Sequence, residues 1–141
     1  MPGASRTIVI NAPVEKVFSV VTDFEKYKEF LPEVKSARVR NRAAGGCEVD
    51  FEVEVIKSIK YSIKVKESAP NRMEWSFISG DFMKDNAGGW VLEDMGGGQT
   101  RATYTVEMKL GALVPGAVVK GLVETSLPKT LESFKNRAER G

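Results

Sequence analysis

Residues 49–66 read VDFEVEVIKSIKYSIKVK, and two runs within them alternate strictly. In Val49–Val55, Val49, Phe51, Val53 and Val55 take one side, and Asp50, Glu52 and Glu54 take the other. In Ser58–Lys66, Ile59, Tyr61, Ile63 and Val65 alternate with Lys60, Ser62, Lys64 and Lys66. Successive side chains of a strand point to opposite faces, so the pattern marks two strands with one buried and one solvated face. The solvated faces carry opposite charge. A hairpin turning near Ile56–Lys57 would set Glu54 against Lys60 and Asp50 against Lys64. Such pairs contribute roughly 0.2–1 kcal/mol each and favour one register. The lysine run is read as a solvated outer face.

Outward from this hairpin, further strands follow. Val34–Asn41 precedes it, joined by a turn around Ala43–Gly46; alternation fails in this strand, so its inward face is not assigned. Arg72–Ser79 places Met73, Trp75 and Phe77 on one face. Asp81–Asn86 reads as a connection, and Ala87–Met95 as a strand carrying Trp90 and Leu92. Gly96–Gly98 forms a turn. In Thr100–Leu110, Ala102, Tyr104, Val106, Met108 and Leu110 share one face, opposite Thr103, Thr105, Glu107 and Lys109.

The ends of the chain change period. Arg6–Asn11 is a first strand. Pro13 suits the start of a helix, and Val14, Val17, Phe18 and Val21 follow at helical spacing. Asp23 is a candidate cap for a second short helix, Phe24–Phe30, stopped at Leu31-Pro32. Pro115–Glu139 reads as a long helix with a stripe of Leu127, Leu131, Phe134 and Ala138, extended backwards by Val118 and Leu122. Pro128 should kink it or start a new turn. The order is strand, two short helices, six strands, long helix. We therefore expect one α+β domain over residues 1–141: a curved seven-stranded antiparallel sheet wrapped around the C-terminal helix.

Composition excludes much chemistry. The 141 residues include no histidine and one cysteine, Cys47. A Ser-His-Asp or Cys-His unit cannot be built, and neither can a histidine or multi-cysteine metal site. No catalytic residue, metal or cofactor is assigned. The lone cysteine, the absence of a stretch of roughly 20 apolar residues and an N-terminus without an apolar signal core make a cytoplasmic location the expectation. The net charge of +2, from 21 basic and 19 acidic residues, is too small to imply nucleic acid. Arg38, Arg40 and Arg42 share a strand face and could touch phosphate, or simply line a solvated edge.

Residues 8–39, IVINAPVEKVFSVVTDFEKYKEFLPEVKSARV, resemble the opening of the START-like SRPBCC superfamily. They look most like its polyketide cyclase/dehydrase and coenzyme Q-binding group. Ala12-Pro13 with Val17-Phe18, Asp23, and Tyr27 with Phe30-Leu31-Pro32 carry the resemblance. Gly80-Asp81-Phe82, Gly89-Trp90 and the ending Leu131–Arg137 extend it. It implies a helix-grip fold with a cavity between the sheet and the C-terminal helix. The family contains lipid carriers, quinone-binding proteins, aromatic-polyketide cyclases and ribosome-binding proteins.

On the strand parity, the cavity would be lined by Phe51, Val53, Tyr61, Ile63, Trp75, Phe77, Trp90, Leu92, Tyr104, Val106 and Met108, with Val118 and Leu122 from the helix. The same residues could instead fill a solid core. The Tyr61 and Tyr104 hydroxyls, the Trp75 and Trp90 indoles, and Thr125 and Ser126 are candidate polar anchors, or bond protein and water. Gly88-Gly89 opens space for a ligand or permits sheet curvature. Leu110–Val123 is a buried lead-in to the helix or a lid touching a membrane. The leading expectation is binding or transfer of an apolar molecule such as a quinone, isoprenoid, lipid or polyketide. Alternatives are a cyclase, aromatase or dehydrase using Asp94 and Arg101, and a module docking on a ribosome or protein.

Overall fold

A computed structural model of the protein describes residues 3–54, 58–111 and 127–140. Seven strands form one antiparallel sheet: β1 (Gly3–Ile10), β2 (Val34–Ala43), β3 (Gly46–Glu54), β4 (Ser58–Ser68), β5 (Arg72–Gly80), β6 (Met83–Gly96) and β7 (Gln99–Leu110). Their order across the sheet is β1-β7-β6-β5-β4-β3-β2. Helix α1 (Val14–Thr22) and a 3₁₀ helix (Phe24–Glu29) follow β1, and helix α2 (Leu127–Glu139) closes the chain. The expected α+β, helix-grip architecture is thus the observed one. Residues 115–126 of the expected C-terminal helix lie outside the described residues. Pro128 sits in the first turn of α2, where its missing N–H leaves no bond unmade.

The β3–β4 hairpin keeps the expected faces but not the expected register. Lys60 lies opposite Glu52 and Lys64 opposite Glu48, each two residues from the anticipated partner. A shift of two preserves which side chains point inward. Asp50 instead faces Ser62, which donates to it at 2.6 Å, and Arg40 Nε donates to both Asp50 oxygens at 3.0 Å. Arg40 also pairs with Glu48, and Arg42 with Glu67 at 2.8 Å. Two of the three arginines considered for phosphate are therefore held by neighbouring carboxylates. Alternation fails in β2 because its register shifts between Val34 and Ser36. Val34 is buried, and past the shift Ala37, Val39 and Arg40 are half-buried.

Strand β6 begins at Met83, so most of the expected 81–86 connection is strand. Its far end returns through Gly96, Gly97 and Gly98, with φ of +82°, +65° and +77°, a left-handed run that other residues adopt at a cost. Asp23 occupies the position before the 3₁₀ helix but its side chain makes no cap hydrogen bond; it pairs with Lys26 at 3.7 Å. On the outer face of β1 and β7, Thr7 meets Thr103 at 3.1 Å and Ser5 meets Thr105 at 3.3 Å.

Burial divides the inner face in two. At one end α2 packs on α1 and β1. Ile10, Val17, Val21, Leu92, Ala102, Leu131 and Ala138 are closed off from solvent there. Glu139 accepts the Asn11 N–H at 2.8 Å, and Arg137 pairs with Glu29 at 2.6 Å and lies 5.2 Å from the Phe30 ring centre. These contacts tie the end of α2 to the β1–α1 junction and the 3₁₀ helix. At the other end Val53, Tyr61, Trp75, Tyr104, Val106 and Met108 of the same sheet face are only half-buried among the described residues.

Candidate functional site

The described residues at this end line a cavity of about 630 Å³, within the range of small-molecule pockets. The sheet forms its floor. Met73 and Trp75 come from β5, Trp90 from β6, and Tyr104, Val106, Met108 and Leu110 from β7; Phe51, Val53, Tyr61 and Ile63 come from β3 and β4. Phe24 and Tyr27 of the 3₁₀ helix, Leu31 just after it, and Leu127, Thr130, Ser133 and Phe134 of α2 complete the lining. Glu33, Glu54, Lys129 and Asn86 add polar groups.

Aromatic rings run round this space as a chain. Tyr61 stacks on Phe51 at 5.3 Å, and Phe51 meets Tyr27 at 6.0 Å. Tyr27 meets Phe134 at 5.2 Å, Phe134 meets Trp90 at 5.1 Å, Trp90 meets Tyr104 at 5.0 Å, and Tyr104 meets Trp75 at 5.6 Å. Tilted and edge-on pairs of this kind fix ring positions beyond what area burial alone would do. Trp75 keeps its place because residue 88 is glycine. A Cβ there would lie 2.7 Å from Trp75 Cζ2 and 2.1 Å from the Thr105 carbonyl oxygen. A Cβ at Gly89 would meet the Met73 carbonyl oxygen at 2.5 Å. The glycine pair thus admits an aromatic wall and close backbone packing.

The polar groups differ in how they are satisfied. Trp75 Nε1 donates to Asn86 Oδ1 at 2.9 Å. Tyr27 donates to the Val21 carbonyl. The Tyr61 and Tyr104 hydroxyls have no hydrogen-bond partner among the described residues. Burial pushes all three phenols above their ordinary range, and each is pushed further by its neighbours. For Tyr61 the neighbour is Glu33, for Tyr104 it is Tyr61, and for Tyr27 it is chiefly Tyr104 and Tyr61. All three are neutral donors near neutral pH. Thr130 Oγ1 reaches Glu33 Oε1 at 3.4 Å.

Of the residues expected to line a cavity, Phe51, Val53, Tyr61, Ile63, Trp75, Trp90, Tyr104, Val106 and Met108 are brought together. Two are not. Leu92 faces inward but lies in the packed end, 1% exposed. Phe77 lies beyond Trp75↔Gly88, where β5 stops pairing with β6, and is off the lining. Val118, Leu122, Thr125 and Ser126 lie outside the described residues, as does most of 110–123; Leu110 itself lines the cavity. Asp94 and Arg101 do not reach it: both are exposed, Asp94 accepting the Gly96 N–H at 2.8 Å and Arg101 pairing with Glu93 at 3.5 Å.

Sequence reading missed Tyr27, Glu33, Asn86, Thr130 and Phe134 as site residues. Phe134 was legible as part of an apolar helical stripe, and Met73 as the residue sharing a face with Trp75. Asn86 gave no signal, because asparagine suggests a turn rather than a strand.

The fold and cavity together define a START-like, helix-grip protein. The family model described as polyketide cyclase / dehydrase and lipid transport matches residues 10–135, and the chain belongs to that family. Solved structures with the same fold include a START superfamily protein from Mycobacterium smegmatis, 23% identical, with a TM-score of 0.86 over 98% of this chain and 97% of that one. The Zhui aromatase/cyclase from a Streptomyces is 16% identical, with a TM-score of 0.85 over 98% and 93% of the two chains. A Thermus thermophilus protein is 23% identical, with a TM-score of 0.81 over 99% and 95%. Comparison with curated proteins found no match. Among the described residues, no helix is long and apolar enough to cross a membrane.

Proposed function

We propose that the protein binds an apolar small molecule in the cavity between the sheet and α2, as a carrier or holding protein of one domain. The observation that carries this reading is the pairing of an aromatic-walled space of about 630 Å³ with two half-buried tyrosines lining it whose hydroxyls have no partner among the described residues. A core built only for stability would close over such a space, because a cavity costs stability. An apolar ligand bearing oxygen would fill the space and accept the two O–H groups. A quinone, isoprenoid, lipid or polyketide-like molecule has this chemistry. The reading includes a cytoplasmic setting for the buried Cys47 thiol and passing contact with a membrane when the ligand is collected.

A second reading has one observation in its favour. Glu33 bears electrostatically on Tyr61 at the cavity wall, so a carboxylate and a phenol could move protons on a folded polyketide-like substrate. The likeness to the Zhui aromatase/cyclase supports considering it.

Native mass spectrometry of the purified protein, followed by organic extraction, tests the first reading. The expected result is a stoichiometric apolar adduct, or saturable uptake of one from a panel of quinones, lipids and polyketide-like aromatics. An apo mass with no saturable binding across that panel contradicts it. Conversion of a bound polyketide-like compound, abolished in Glu33→Gln and in Tyr61→Phe with binding retained, would favour the second.

A further inference from the structure

Asn86 is one of two buried polar side chains in the described core, at 5% exposure; Thr100 is the other. Thr100 is satisfied, donating to the Ala12 carbonyl at 2.8 Å. Asn86 is satisfied on one side only. An indole N–H can donate and never accept, so the 2.9 Å contact from Trp75 Nε1 must meet the amide oxygen of Asn86. That contact fixes the flip of the amide and turns its Nδ2, with two N–H donors, away from Trp75. The backbone N–H of Asn86 is taken by Asp85 Oδ1 at 2.9 Å. No acceptor for Nδ2 exists among the described residues, and Asn86 lines the cavity. The Tyr104 ring packs against Trp75 at 5.6 Å, so its unpartnered hydroxyl belongs to the same part of the wall.

We infer that Asn86 is a specificity-determining residue whose Nδ2 donates to a carbonyl oxygen on the cavity's ligand, with Trp75 as the positioning residue that orients the amide. This rests on the proposed binding role of the cavity and narrows it to apolar molecules that carry a carbonyl. A site built around a fixed donor discriminates against analogues lacking the acceptor, because the donor is then left unpaired. A carboxylate at this position would still accept from Trp75 but would offer the ligand only acceptors.

The test uses two probes that share a skeleton, 9-fluorenone and fluorene, titrated calorimetrically into the whole protein. The wild type should bind the ketone about tenfold more tightly than the hydrocarbon, the size expected of one net hydrogen bond. Asn86→Asp should bring that ratio to about one or below, with fluorene affinity retained. Asn86→Leu serves the same purpose should the buried carboxylate prevent folding, as judged by near-ultraviolet circular dichroism. Trp75→Phe, which keeps a ring but frees the amide to flip, should give an intermediate ratio; a merely structural Trp75 would weaken both probes alike. A wild type that binds both probes equally, or an Asn86 variant that keeps the tenfold preference, overturns the role of Asn86 and leaves the cavity reading standing. Failure of the wild type to bind either probe counts against the cavity reading, and the inference falls with it.

Discussion

Strand β7 runs through two different environments on one face. Ala102 is completely buried, on the strand that α1 packs against, whereas Tyr104, Val106 and Met108, continuing on the same face, are only half-buried over the cavity. The alternation of apolar residues is identical in both stretches. What differs, among the described residues, is the cover: α2 packs on α1 and β1 at one end, while Tyr104, Val106 and Met108 face the cavity at the other. A binding space can therefore arise from ordinary strand patterning, with no special motif. The packed end supplies stability, and the cavity end is where ligand chemistry has room.

The comparison can be broken most directly by truncation. Leu131→Ala, in the packed end, should cost about 2–5 kcal/mol, read by chemical denaturation. Val106→Ala, beside space already open, should cost under about 1.5 kcal/mol, little more than its lost apolar area. Equal costs would mean that the two ends are packed alike.

Alkaline titration sharpens the same contrast. The protein has three tyrosines, Tyr27, Tyr61 and Tyr104, and all lie at the cavity. Their folded pKa values are raised above the ordinary 10.0, by burial first. A raised folded pKa means the native state holds the proton more tightly than the unfolded chain. Its contribution to stability is thus complete below about pH 10 and declines as pH rises further. Tyrosinate absorbance should therefore stay absent past pH 10 and appear together with unfolding. A phenol titrating near pH 10 in the folded protein would show that the cavity is wet.

Gly88→Ala should destabilise by about 1–3 kcal/mol, the usual cost of overpacking, since the added carbon must displace both Trp75 and the Thr105 backbone. Ligand affinity should fall with it as the aromatic wall shifts; retained stability would mean that Trp75 and the Thr105 backbone both yield easily. The smallest effect on folding is expected from Tyr104→Phe. It removes a hydroxyl without a described partner, so stability should change by less than about 0.5 kcal/mol, while affinity for an oxygen-bearing ligand drops about tenfold.

Much of the fold was legible because period and charge are local. Strict alternation in Val49–Val55 and Ser58–Lys66 named the strands and their inner faces, and the Leu127, Leu131, Phe134, Ala138 stripe named the buried side of α2. The hairpin register was displaced by two because opposite charges lie at every second position and fit several alignments. The site was less legible. Leu92 and Trp90 share parity, yet one lies in the packed end and the other borders the cavity, and only the placement of α2 decides between them. Asn86 was invisible because its role depends on Trp75, eleven positions away across a hairpin.

The central claim is that the open end of the sheet, and not the packed end, receives a ligand. Side-chain NMR shifts recorded while titrating an apolar ketone such as 9-fluorenone measure this directly. We predict saturable shifts at the Trp75 and Trp90 indoles and the Tyr61 and Tyr104 rings, with Ile10, Val17 and Ala138 unmoved. Shifts confined to exposed residues such as Ile78 and Phe82, or shifts that never saturate, would contradict it.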